Sequence, residues 1–311
     1  MTRQGPALLA DVGGTNTRVA LWQGGRLIQP QRFANDAAAG LLPLLASYLH
    51  EAGAPPLSAA ALAIAGPVGP GPLRLTNRDW VIDRAALIAA LGLPGASALR
   101  CLNDLEALAL ALPGLAPAQR QPLRDGSGPG NGQALVLNLG TGVNAGLVRR
   151  TQAGPVAWAL EFGHAALPAP VQAALGPGAG EAAPPATMEA LFSAAGLGFL
   201  CRQAGGEMGP PEAILARAAA AEGPARQAAL RMARLLGQVL QQLVWFYLPL
   251  DGIVLAGSLA RALIGWPEGR AACLDAFDAP AEPGAGVALA LILDDAAALT
   301  GLAAALPGVS R

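Results

Sequence analysis

Two short glycine-threonine turns carry the first chemical signal: Gly13-Gly14-Thr15-Asn16 and Gly140-Thr141-Gly142. Glycine has no Cβ, so its backbone N–H groups can close around an anion, and threonine adds a hydroxyl donor. Either turn alone is the kind met in many ordinary hairpins. Two of them, each entered from a buried strand, point to phosphate binding. Asp11 precedes the first turn. A carboxylate beside phosphates is repelled unless a cation lies between them, so Asp11 is a candidate for holding Mg²⁺ through water; its plainer reading is a turn cap.

A second group of residues could hold and activate a polyhydroxy ligand. Asn103-Asp104 stands at an expected strand-to-helix junction. Asp104 there could deprotonate a hydroxyl as general base, its ionised form favoured by the helix N-terminus. The spacing Asn103-x-x-Glu106 also reads as a capping box, which needs no ligand at all. Glu161 and His164 flank a glycine, and one carboxylate can accept from two hydroxyls at once. A lone histidine is more often structural, and Glu189, at the start of an expected helix, also suits the helix dipole. Thr76-Asn77 follows a Gly/Pro loop and could cap or bind.

The elements that must position these residues follow from hydrophobic runs and breakers. Strands are expected at Ala7 to Ala10, Arg18 to Trp22, Leu27-Ile28, Ala61 to Ala65, Leu99 to Leu102, Leu135 to Asn138, Ala145 to Arg149, Val156 to Leu160 and Gly252 to Ala256. Helices are expected at Ala38 to His50, Asp83 to Leu91 with Asp83 as N-cap, Asp104 to Ala111, Met188 to Arg202, Ala225 to Tyr247 and Asp294 to Ala305. Leu115 to Gly132 reads as a connection between domains, and Ala165 to Thr187 as an irregular surface segment. The strand–turn–strand plan around the first glycine turn returns around the second. Two copies of one unit at domain scale imply two related α/β halves, with a ligand cleft between them.

Composition removes several classes of function. All 20 basic residues of the 311 are arginine, so the P-loop, protein-kinase and pyridoxal lysines have no counterpart. A net charge of −1 offers no general attraction for nucleic acid. With 53% apolar and 13% charged residues, a large core is expected, not disorder. Cys101, Cys201 and Cys273 are too scattered for a disulfide framework or a zinc site and suit a reducing cytoplasm. The apolar run Pro6 to Ala10 is too short for a secretion signal, and Ala52 to Leu73 is too broken by Pro and Gly to cross a membrane. So little charge leaves apolar surface of the kind a homodimer interface would cover.

In order along the chain, Asp11-Val12-Gly13-Gly14-Thr15-Asn16, Ala65-Gly66-Pro67, Leu75-Thr76-Asn77-Arg78-Asp79-Trp80, Leu102-Asn103-Asp104, Gly140-Thr141-Gly142, Glu161-x-Gly163-His164 and Ala256-Gly257 together resemble the bacterial glucokinases of the actin-like sugar-kinase superfamily. The resemblance implies a two-domain α/β fold of the actin-like, ribonuclease-H-like type. Residues 1–114 with about 291–311 would form the small domain and about 115–290 the large one. It implies phosphorylation of glucose at the 6-hydroxyl, with ATP and Mg²⁺. Asp104 would be the base, and Asn103, Glu161, His164, Glu189, Thr76 and Asn77 would contact the sugar. Asp11, Gly13, Gly14, Thr15, Asn16, Gly140, Thr141, Gly142 and Gly257 would hold the nucleotide and its metal.

The chain also departs from the family pattern. Asn138 and Asn144 replace the outer glycines of the second phosphate turn, Ser258 the second glycine of the adenosine motif, and Phe162 a glycine between Glu161 and His164. No Asp follows His164 where the family often has one. Most changes fall on the nucleotide side, so a sugar-binding sensor with weakened nucleotide affinity is an alternative. A related amino-sugar kinase of the repressor/ORF/kinase group is another, although the Cys-rich zinc motif usual there is missing.

Overall fold

The computed structural model describes residues 5–76, 78–140, 142–177, 183–207, 211–220, 223–279, 286–294 and 296–306. The chain divides into two compact units. One comprises residues 1–115, 155–159 and 294–311; the other comprises 116–154 and 160–293.

In the first unit, strands β1 (Ala7–Val12), β2 (Asn16–Gln23) and β3 (Arg26–Ala34) form an antiparallel meander. Strand β4 (Ala59–Ile64) joins β1 in parallel. A small separate hairpin pairs β5 (Leu73–Leu75) with β6 (Arg78–Ile82), and β7 (Leu99–Asn103) joins β4 in parallel. The five-stranded sheet thus has the order β3-β2-β1-β4-β7. The Gly24-Gly25 hairpin turn has φ of 59° and 79°, the left-handed region glycine occupies without strain. All six residues of β4 are buried, as expected for a strand covered on both faces. Leu8, Ala10 and Val12 pack toward α1 (Leu41–Glu51) and α2 (Arg84–Ala90). Helices α3 (Asp104–Ala111) and α11 (Ala297–Ala304) pack on each other and on the same sheet.

The second unit holds β8 (Arg120–Arg124), β9 (Gln133–Leu139), β10 (Val143–Thr151), β12 (Gly252–Ala256) and β13 (Leu289–Ile292), together with the two end residues of β11 (Gly154–Leu160), whose residues 155–159 are counted with the first unit. They form a six-stranded sheet of order β11-β10-β9-β12-β13-β8. Strands β9 and β10 are antiparallel, and β12 and β13 follow β9 in parallel. Each sheet thus holds a hairpin whose first strand is extended by two parallel strands, the repeat expected from the two glycine turns. Helices α4 (Ala169–Leu175), α5 (Met188–Leu191), α6 (Ala194–Gln203), α7 (Pro211–Ala220), α8 (Pro224–Tyr247), α9 (Ser258–Ile264) and α10 (Pro267–Asp278) accompany it. The core lies along α8, where Leu236, Val239, Leu240 and Leu243 are fully buried on one face. Cys273 is buried on α10, and desolvation pushes its thiol pKa up to about 12.

Several expectations need correction. Leu115 to Gly132 is not only a connection, because its middle pairs as β8 with β13. Pro122 suits β8 because that strand is the sheet edge, where a missing N–H is tolerated. Ala165 to Thr187 contains α4, with Val171 and Leu175 buried. The helix expected from Met188 to Arg202 is two helices. Phe192 leaves helical geometry and the Ser193 hydroxyl caps α6 by accepting from the Gly196 N–H.

Candidate functional site

The first glycine turn is held from behind. Asn35 is fully buried, and its Nδ2 donates to the carbonyls of Gly13 and Gly14 at 2.8 and 3.2 Å. The Thr17 hydroxyl donates to Asn35 Oδ1 at 2.7 Å, and the Asn35 N–H donates to Thr15 O at 2.9 Å. Arg78 Nε adds a bond to Gly14 O at 2.9 Å while its guanidinium lies 5.0 Å from the Trp80 ring centroid. In a trans peptide the C=O and the following N–H point in opposite directions. Turning the Gly13 and Gly14 carbonyls onto Asn35 and Arg78 therefore aims the Gly14 and Thr15 N–H groups the other way. That is the arrangement of an anion nest. Within the turn, the Gly13 N–H closes on Asn16 O at 3.0 Å, and Asn16 Oδ1 accepts from Arg32 at 3.2 Å.

Asp11 sits inside β1, directly across from Arg18 on β2, and pairs with it at 3.3 Å. Its carboxylate is thereby tied across the strand pair that leads into and out of the turn. Among the described residues, no group of three or more His, Cys, Asp or Glu could hold a metal by itself. A hard cation at Asp11 would need most of its oxygens from phosphate and water, which is how Mg²⁺ is usually held beside nucleotides.

In the same unit, Asn103 and Asp104 occupy the expected junction of β7 and α3. Asn103 Oδ1 accepts from the Leu105 N–H at 2.9 Å and its Nδ2 donates to Gly66 O at 3.0 Å. Asp104 Oδ1 also accepts from the Leu105 N–H, at 3.0 Å. Glu106 takes the capping-box role by accepting from the Asn103 backbone; burial raises its pKa, partly offset by that bond and by Arg100. So Asn103 does cap the helix, and the same geometry pins its side chain beside Asp104. The Gly66 strand end is tied to the β5–β6 hairpin: Thr76 N–H donates to Ala65 O at 2.9 Å, and a Cβ on Gly66 would fall 2.4 Å from Arg74 O. Thr76 is exposed in that turn; Asn77 lies outside the described residues.

The second unit gathers the other candidates. Glu161 leads into a 3-10 turn, Phe162–His164, and both Glu161 and His164 are exposed. The turn presses on the end of β10, where a Cβ on Gly163 would lie 2.2 Å from Val143 O. Helix α5 brings Glu189 to the same place: one of its carboxylate oxygens lies 3.0 and 3.4 Å from where Cβ atoms on Gly163 and Gly142 would be. The Met188 N–H donates to Ala165 O at 3.1 Å and fixes the approach. Glu161, His164 and Glu189 are thus brought around the second glycine turn. In that turn the Gly140 N–H donates to Gly142 O at 3.0 Å; Thr141 lies outside the described residues. Gly257 has φ +95° and abuts Leu139 O, which a Cβ would approach to 2.2 Å.

Two residues that organise the first turn, Asn35 and Arg78, carry no such role in the sequence. Arg78 lies within the Leu75-to-Trp80 string, where nothing marks it apart from its neighbours. Asn35 acts through backbone oxygens far away in the chain, and no local pattern announces it.

Residues 8–307 match the family model described as Glucokinase. Among curated relatives, the chain is 36% identical over 172 residues to "Glucokinase" of Caulobacter vibrioides, covering 54% of this chain and 50% of that one. It is 37% identical over 162 residues to "Bifunctional protein glk" of Burkholderia pseudomallei, covering 52% and 25%. The matched stretch thus spans a quarter to a half of these relatives' lengths. A solved glucokinase from an Antarctic psychrotroph superposes with a TM-score of 0.81 at 24% identity, over 97% of this chain and 98% of that one. A ROK family glucokinase from Streptomyces griseus, solved in complex with glucose and AMPPNP, gives 0.65 at 20% identity over 97% and 99%. The α/β fold is that of these solved glucokinases.

Proposed function

Because the chain belongs to the glucokinase family, we propose that it transfers the γ-phosphoryl group of ATP to the 6-hydroxyl of glucose. The observation that carries this reading is the first glycine turn, whose inner carbonyls are occupied by Asn35 and Arg78. That supports phosphate binding by backbone N–H groups in a chain without lysine. Gly13, Gly14, Thr15 and Asn16 would hold phosphate in one unit, Gly140, Thr141 and Gly142 in the other, with Gly257 at the adenosine. Bound Mg²⁺, reached from Asp11 through water, would neutralise charge on the transferring group.

Asp104 accepts the proton of the 6-hydroxyl as the oxygen attacks the γ-phosphorus; the new O–P bond forms, the bond to the β-phosphate oxygen breaks, and ADP leaves. Asn103 orients the sugar beside that carboxylate. Glu161, His164, Glu189, Thr76 and Asn77 bind the other hydroxyls and set the reacting one in line, which is most of what phosphoryl transfer asks of a protein. In the same reading residues 1–114 with about 291–311 are the small domain, about 115–290 the large one, and the enzyme works in the cytoplasm, as a homodimer.

One observation favours a second reading, a sugar-binding protein with weakened nucleotide affinity. The Asn138 side chain is turned onto Gly257, its Oδ1 2.7 Å from where a Cβ there would be, so it fills space beside the adenosine motif. Calorimetric titration with Mg-ATP, without and with saturating glucose, separates the two, alongside assay of ADP. Nucleotide heat and glucose-dependent ADP are expected. Glucose heat without nucleotide heat or ADP would establish the sensor instead.

A further inference from the structure

Asn144 stands on β10 directly opposite Asn138 on β9, where the family pattern has glycine. Its amide reaches three partners. Oδ1 accepts from the Phe162 N–H at 2.8 Å and from the Ala145 N–H at 3.1 Å, while Nδ2 donates to Glu161 Oε2 at 3.2 Å. Two N–H donors on one end and a carboxylate on the other fix which end is oxygen, since the flipped amide would oppose every partner. The Phe162 bond holds the start of the 3-10 turn that carries His164, and the Glu161 bond holds the carboxylate itself. The strand bearing Asn144 also leaves the second glycine turn.

We propose that Asn144 is a positioning residue for the sugar. It clamps Glu161 and the His164 turn onto β10, so that the phosphate hairpin and the sugar-holding turn of this unit move as one piece. This rests on the reading of Glu161 as a sugar contact, and it assigns a function to a residue that otherwise counts only as a defect in a phosphate loop.

Two variants separate positioning from mere support of the fold. Asn144→Ala removes all three side-chain bonds. Asn144→Asp keeps the acceptor for the Phe162 N–H but faces Glu161 with a second carboxylate, which repels it. A purely structural role makes Asp the milder change. A positioning role makes it the harsher one for sugar. The expected result is a glucose KM raised about tenfold in Asn144→Ala, the scale of one lost charge-assisted hydrogen bond, and raised further in Asn144→Asp. The KM for ATP should change less than about twofold, since the two lost bonds that reach another element, to Phe162 and Glu161, both lie on the sugar side, and melting temperatures should stay close to wild type. Glucose calorimetry without nucleotide should show the same order. In a Glu161→Gln background the Asp variant should lose its extra penalty and become the milder of the two, because the repelled charge is gone while its acceptor for the Phe162 N–H remains.

Wild-type affinity in both variants, an Asp variant milder than Ala, or an Asp penalty that persists in the Glu161→Gln background would each overturn the proposal while leaving the kinase reading intact. Wild-type protein that binds no glucose would overturn the kinase reading and this inference with it. If the Ala variant fails to fold, the Asp variant against wild type, alone and in the Glu161→Gln background, still decides.

Discussion

At the residue scale, the candidate base and its neighbour behave in opposite ways. Asp104→Asn should lower kcat by a factor on the order of 10²–10⁴, the usual contribution of a general base. Glucose binding by calorimetry should persist; an unchanged kcat would return the Asn103-Asp104 pair to simple helix capping. Glu106, two residues on, is a stability matter. Its folded pKa is raised by burial, so its favourable contribution is complete below the unfolded value and fades as pH rises through the folded one. Glu106→Gln keeps an acceptor for the Asn103 backbone without the buried charge. The melting temperature of the variant relative to wild type should therefore be more favourable well above the usual carboxylate range, at about pH 7.5, than within it, at about pH 4.5. An equal difference at both pH values would mean that desolvation is not the cause. These positions stood out in the sequence because Asn-Asp at a strand end and glycine-threonine turns are local patterns. The roles of Asn35 and Asn144 were not legible there, because each comes from backbone groups that only the folded chain brings near.

At the element scale, glycine inside a helix has a sign that packing decides. In an exposed helix interior, Ala is favoured over Gly by about 0.5–1 kcal/mol. Gly237 lies in the middle of α8, and a Cβ there would meet Cys273 O at 2.2 Å and Ala276 Cβ at 2.9 Å on α10. Overpacking of that kind costs about 1–3 kcal/mol, so Gly237→Ala should destabilise despite its better helix propensity. Denaturant unfolding gives the sign directly; a stabilised variant would mean the two helices can part at little cost. The elements that escaped sequence reading share a cause. Strand β8 holds one Pro and two Arg among its five residues, so no alternation marks it. Helix α4 hides between prolines in an alanine-rich stretch, and its register shows only in two buried side chains, Val171 and Leu175. The break between α5 and α6 rests on one Ser cap inside an unbroken apolar rhythm. By contrast α3 begins and ends where sequence placed it, because Asn103 is a strong local stop on the strand.

At the scale of the whole molecule, the first unit is assembled from distant pieces of chain. Helix α11 packs on α3, with Leu299 and Leu302 buried and Gly301 so close that a Cβ would fall 1.7 Å from Ala107 O. Each buried leucine is worth roughly 1.5–3 kcal/mol, so two of them reach the lower end of an ordinary domain's whole stability, about 5–15 kcal/mol. A chain ending at Leu293 should therefore lose amide-exchange protection in β1 and β4 while β9 and β12 keep theirs. Protection retained in β1 would show that the first unit stands without its last helix. The duplicated hairpin was legible from the two glycine turns alone, since each turn announced a hairpin between buried strands, whereas the order of the parallel strands beside it was not. That a helix near the end of the chain joins strands near its beginning followed only from the family resemblance, which groups residues 1–114 with about 291–311, because no periodicity carries such a long-range partnership.

That distant helix sets a clock on the ribosome. Strands β1 and β4 emerge first, yet the surface they offer to α11 stays uncovered until all of the second unit has been made. At about 5–20 residues per second, the wait is roughly 10–35 s, long compared with the microseconds in which hairpins form. The unit that begins the chain is thus the last to be finished. During that interval the nascent protein presents the apolar side of α3 to whatever chaperones, or other nascent chains, are near the tunnel mouth.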